Sequence, residues 1–210
     1  MKLINISNND QSTIVLMDTK APTQTRLNFQ KSKAIQWNVN LYQAAIKCIN
    51  EWGKWYLTVN TVFTLVNENE APRTLDEMKA QIKEYGNIYI YCGDSDSCDW
   101  SIDANVALRH LHDLQHVQYD RDTSATDELF LAGTLADEVT STMSNAVPQL
   151  STMLPRKAGA IKSMISDIIN TDFAAQTRYY QKHGKFVKNQ GLFLRTCIFN
   201  DESVFNNFQV

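Results

Sequence analysis

Leu108-Arg109-His110-Leu111-His112-Asp113-Leu114-Gln115-His116 holds three of the four histidines in a chain of 210 residues. Leu108, Leu111 and Leu114 recur at helical spacing, which predicts a helix over 103–117. On that helix His112 and His116 stand four residues apart, so their side chains lie one turn above each other on one face. A helix that hands two imidazoles to one metal ion uses this spacing. The same spacing also occurs in helices whose histidines only bond locally, and the residues alone leave both readings open. His110 points away from the 112/116 stripe, toward solvent or into a supporting role behind the ligands.

Working outward toward the C-terminus, the chain reads as helices joined by short breaks. Segments 126–146, 156–169, 172–183 and 189–197 carry apolar residues at helical period. Pro148, Asn170-Thr171 and Gly184 separate them. Toward the N-terminus the pattern shifts to short β-branched and aromatic runs at 3–6, 13–17, 26–29 and 34–39, divided by polar clusters. Asn40 is then the expected cap of a helix over 41–52, with Gly53 as its breaker. A strand follows over 56–66. A helix starts after Thr74, with Glu77 completing a capping box. It ends near Gly86, before a strand over 87–92. The expected fold is α+β: an N-terminal small sheet with two helices over 1–99, and a C-terminal helical bundle over about 100–197. No Gly/Ser/Pro linker divides them, which predicts one domain over 1–210.

Composition narrows the function classes. The net charge is −3, so no chain-wide basic footprint for nucleic acid exists. A local cluster, Arg178, Lys182, Lys185 and Lys188, keeps nucleic acid open as a partner. No run of about eighteen apolar residues occurs, so no membrane span is expected. The first ten residues are too polar for an export signal, and Cys48, Cys92, Cys98 and Cys197 form no CxxC pair. Both points lead to the expectation of a cytoplasmic protein with reduced thiols. Asp94, Asp96, Asp99 and Asp103 lack the glycine and the closing glutamate of a calcium loop. Walker, dinucleotide and GxSxG motifs are absent.

A metal site needs a third ligand beyond His112 and His116. Glu138, on the next predicted helix, is the expected one. Asp172 is the candidate fourth ligand, with Gln176 one turn further along the same helix. Asp113 is the expected general base for a metal-bound water. The ion expected of two imidazoles and a carboxylate is a divalent metal, zinc foremost. The surrounding shell is expected to include Arg109, His110, Gln176 and Tyr180.

His112-Asp113-x-x-His116 with a distal Glu138 is similar to the gluzincin HExxH…E pattern, with aspartate in place of the first glutamate. The HD-type phosphohydrolases also carry His-Asp, but they need an upstream histidine, and none precedes His110. A further resemblance spans about residues 100 to 195. Arg109, His112, Asp113 and His116, together with Gln176, Tyr179, Tyr180, His183, Gly184, Phe186 and Gln190, resemble a family of small, largely uncharacterised phage and bacterial proteins. That family pairs an RxxHDxxH helix with a Gly-Glu helix. At Gly133 this chain has Thr134 where the pattern has glutamate. The resemblance implies a helical metal-site core and a phage source, hence a host cytoplasm, and implies no activity. Three function classes remain: a metal-dependent hydrolase-like protein, a non-enzymatic phage protein that binds a host or virion protein, and a nucleic-acid-associated accessory protein.

Overall fold

The computed structural model describes the backbone of residues 2–8, 11–17, 23–91, 93 and 98–199, and side chains from residue 37 onward within those ranges. The expected features at Cys92, Asp94, Asp96 and the 201–210 segment lie outside them. The chain divides into two compact units, Met1–Asn40 and Leu41–Val210.

In the first unit, β1 (Lys2–Asn8) and β2 (Gln11–Met17) form an antiparallel hairpin, with Lys2 opposite Met17 and Asn8 opposite Gln11. The short runs at 3–6 and 13–17 are therefore strands. Those at 26–29 and 34–39 are not, because both fall within one long helix, α1 (Thr23–Val59). Pro22 precedes that helix, and neither proline nor glycine occurs again until Gly53. Strand propensity spans only about 1 kcal/mol, too little to break a helix that nothing interrupts. Asn40 lies inside α1 and does not cap it.

Gly53 does not end α1 either. A Cβ placed there would sit 2.4 Å from the Cα of Ala104, so this glycine lets two helices touch backbone to backbone. The helix continues through Tyr56 to Val59, and the expected 56–66 strand shrinks to β3 (Phe63–Val66). Next comes α2 (Leu75–Tyr85), with the Thr74–Glu77 capping box formed and Gly86 closing it in the left-handed region at φ 70°. β4 (Ile88–Tyr91) then pairs parallel with β3, Phe63 opposite Ile88. Parallel neighbours need a crossover, and α2 supplies it. Ile88 and Ile90 point inward onto Met78 and Val106.

The rest is helical: α3 (Ile102–Tyr119), α4 (Ala125–Ala146), α5 (Gln149–Thr152), α6 (Pro155–His183) and α7 (Gln190–Phe199). The expected break at Asn170-Thr171 is absent, and α6 runs straight through it. Apolar stripes of four helices build the main core: Ile49 and Trp52 from α1, Leu108 from α3, Leu135, Val139 and Met143 from α4, Ile165, Ile168 and Ile169 from α6. Burying such side chains contributes about 1.5–3 kcal/mol each. The described residues are thus mostly helical, with a hairpin and one two-stranded parallel sheet in place of a single N-terminal sheet. No helix among them is long and apolar enough to cross a membrane.

Candidate metal centre

α3 is fixed at both ends by its own sequence. Ser101 caps it, its hydroxyl accepting from the Ala104 N–H at 3.2 Å. Asp120 ends it in the left-handed region at φ 54°, its N–H donating to the His116 carbonyl. A turn over 120–124 leads into α4, capped by Ser124, with Asp127 and Glu128 in the first helical turn. Acidic side chains there suit the positive end of the helix dipole. They also lie beside the last turns of α3.

His112, His116 and Glu128 converge, with one ligand atom from each within 4.8 Å of the others, and the group could hold a metal ion. His112 Nε2 lies 3.2 Å from Glu128 Oε2, and His116 Nε2 lies 3.4 Å from Glu128 Oε1. Ligands at 2.0–2.2 Å from a tetrahedral zinc ion stand about 3.3–3.6 Å from one another. The two distances, to different oxygens of Glu128, are close to that range, and the group's spread of up to 4.8 Å calls for a small inward shift on binding. The side chains of His116 and His112 are 1 % and 8 % exposed and that of Glu128 19 %, so the carboxylate forms the outer rim.

The far nitrogens orient the rings. His116 Nδ1 is 2.8 Å from the Arg121 carbonyl oxygen, which can only accept, so Nδ1 carries a proton and donates. His112 Nδ1 is 3.5 Å from Asp113 Oδ1, the same relationship in looser form. In the neutral rings both Nε2 atoms then present lone pairs to Glu128. A supporting acceptor behind each ligating imidazole is how proteins fix the tautomer for a metal. His112 Nε2 is buried and makes no hydrogen bond of acceptable geometry. Phe173 of α6 packs on the same ring at 4.7 Å.

Electrostatics show what the group does with protons alone. Burial disfavours a charged His112, but the adjacent carboxylates of Asp113 and Glu128 outweigh it and raise its pKa above the ordinary value. Burial likewise works against a charged Glu128, yet the two histidines hold its carboxyl below the usual range. Without a metal this is a buried ion pair.

The other expected site residues fall elsewhere. Glu138 is ten residues beyond Glu128, about 15 Å along α4. It meets a different side of α3, where Gln115 Nε2 donates to it at 2.8 Å. Asp113 stands behind the His112 ring, on the side away from Nε2, so it orients the ring and is not placed to take a proton from a water held at Nε2. Asp172 is buried among different partners. Burial pushes its pKa up to about 7, with Gln176 and Arg109 pulling it back and Asp99 adding to the rise. Arg109 donates to the Tyr91 carbonyl. Neither amide atom of buried Gln176 reaches hydrogen-bonding geometry with a partner. His110 is neither solvent-facing nor behind the ligands: it is buried, with Nδ1 3.1 Å from the Tyr56 hydroxyl and Phe63 against its ring. Tyr180 is exposed and packs against Phe186, the rings tilted by 31°.

The carboxylate that meets the histidines is Glu128 and not the expected Glu138. The sequence signal for it is the short 120–124 turn, since a tight helical hairpin puts the first turn of the second helix beside the last turns of the first. No family model, curated protein or solved structure matches this chain.

Proposed function

We propose that this chain is a zinc-binding protein of the hydrolase-like kind, with His112, His116 and Glu128 as its three protein ligands. The observation that carries the reading is the shared orientation of the two imidazoles. Each has Nδ1 turned to an acceptor and Nε2 turned to the same carboxylate. Two imidazoles and one carboxylate are a ligand set of catalytic zinc, which keeps a fourth position for water. The ion would supply Lewis acidity and a water of lowered pKa. This chain's residues supply the rest: Asp113 and the Arg121 carbonyl hold the rings, and Phe173 shields His112 from solvent.

Metal content tests the assignment. Wild type, Glu128→Gln, His116→Ala and Glu138→Gln are purified alike, dialysed against zinc and assayed by elemental analysis. One equivalent in wild type and Glu138→Gln, with loss in Glu128→Gln and His116→Ala, is the expected pattern. Metal-free wild type, or Glu128→Gln that retains a full equivalent, overturns it and leaves a buried ion pair. Zinc-loaded and stripped protein are then compared on a chromogenic ester and a chromogenic phosphodiester. Turnover by the loaded form alone supports hydrolysis, and none on either probe removes the hydrolytic part.

A further inference from the structure

Between Asp172 and Asp201 the chain has no acidic residue, yet it has five cations: Arg178, Lys182, Lys185, Lys188 and Arg195. In a chain of net charge −3 this is strong local segregation. Arg195 is taken up by Asp99, at 2.7 Å. The other four are exposed, and none is in an ion pair with a described residue. Lysines near a helix C-terminus also offset the helix dipole. That effect uses Lys182 alone, within the last turn of α6.

Two large aromatic rings lie on the surface in the same segment. Tyr180 is 47 % and Phe186 59 % exposed, and their rings pack with centroids 4.8 Å apart, tilted by 31°. The pair is held in place. Gly184 turns the chain at φ 66°, and Val187 is buried, which pins the segment carrying Lys185, Phe186 and Lys188. At 100° per residue, Arg178 and Lys182 lie about 160° round α6 from Tyr180, so the cations that flank the ring pair are Lys185 and Lys188, on either side of Phe186 in the segment after Gly184. Cations beside an exposed aromatic step suit a chain of phosphates with unpaired bases: the charges take the backbone and the rings take a base.

We propose that the Tyr180–Phe186 pair, with Lys185 and Lys188 in the turn after α6, is a binding surface for single-stranded nucleic acid. Duplex would use the cations but not the rings, since its bases are already stacked. An anionic membrane would also attract the cations, but stable seating of a helix on it uses an apolar face, and that of α6 is spent on the core through Ile161, Ile165, Ile168 and Ile169. The surface shares no residue with the metal centre, so chelator-treated and zinc-loaded protein bind alike.

Fluorescence anisotropy with a labelled oligothymidylate of about 20 nucleotides tests this on the full chain. Binding should weaken steadily with salt. Lys185→Ala with Lys188→Ala should reduce the slope of log affinity against log salt by about 1.4, two phosphate contacts at 0.7 each. Phe186→Ala should weaken binding about tenfold with the slope unchanged, because stacking releases no counterions. All substituted side chains are exposed, and unchanged circular dichroism confirms folding. The proposal fails if wild type does not bind at low salt. It fails equally if a duplex of the same length binds as tightly and Phe186→Ala has no effect. Binding to phosphatidylserine vesicles without binding to the oligonucleotide replaces it with a membrane surface.

Discussion

His116 turns its Nδ1 to the main-chain oxygen of Arg121 at 2.8 Å, so the turn that ends α3 also fixes the tautomer of the histidine above it. Arg121 reaches forward as well. Its guanidinium bonds Asp127 at 3.1 Å and lies over the Phe130 ring, which anchors the first turn of α4. Glu128 lies between these two anchor points, directly after Asp127. One short turn thus sets the direction of an imidazole lone pair on α3 and the position of the carboxylate on α4 that meets it.

If Asp113 acts by holding the His112 ring, its loss weakens metal binding without abolishing it. Asp113→Asn keeps size and shape but replaces a charged acceptor with a neutral one. Zinc affinity should fall about 10–100-fold, the usual cost of removing a group that orients a ligand. Competition against a chromogenic chelator measures it. A fall as large as that of His116→Ala would make Asp113 a ligand, and no fall at all would remove it from the site.

The metal-free protein should lose stability toward alkaline pH. His112 is raised above 6.5, so its contribution is complete below that value and fades as pH climbs through the raised pKa. Glu128 is lowered from 4.5, so its contribution is complete above that value and is lost only in stronger acid. The pair therefore stabilises most between pH 4.5 and 6.5. Buried Asp172, raised from 3.8 to about 7, also makes stability fall with rising pH across that interval. Urea midpoints across pH, repeated in Asp172→Asn, separate the two. Zinc must displace the His112 proton, so the midpoint gain from zinc should grow from pH 5.5 to 8. A zinc effect independent of pH would contradict this.

Gly53 and Gly159 are both inside helices, and replacing each with alanine should have opposite effects. Alanine is the better helix former by about 1 kcal/mol. At Gly159 a Cβ meets nothing within 4 Å, so Gly159→Ala should raise stability by up to that amount. At Gly53 the Cβ meets the backbone of Ala104 at 2.4 and 2.8 Å, and the helices must part. Gly53→Ala should lose about 1–3 kcal/mol. Urea unfolding of the two variants side by side decides it, and a stabilised Gly53→Ala would mean that α1 and α3 do not pack as described.

Where the physics is local, the sequence signals the structure. The capping box at Thr74 and Glu77, the stop at Gly86, the strand at Ile88–Tyr91 and the helical face bearing His112 and His116 each depend on residues within a turn or two. Contacts between distant segments leave no such signal. The runs at 26–29 and 34–39 read as strands because their residues favour a pleat weakly, whereas the uninterrupted helix around them is set by burial of its stripe further along at Ala45, Ile49 and Trp52. Gly53 read as a stop because its neighbour Ala104 is fifty-one positions away.

The candidate site divides in the same way. The sequence by itself determined the pair of imidazoles, because a spacing of four on a helix fixes their common face whatever surrounds it. Only the tertiary structure decided which carboxylate completes the group. Glu128 and Glu138 sit on one helix with similar local chemistry, and the packing of α4 against α3 turns the first to the histidines and the second to Gln115. No local propensity encodes that choice, since it follows from how two helical surfaces interlock after a five-residue turn.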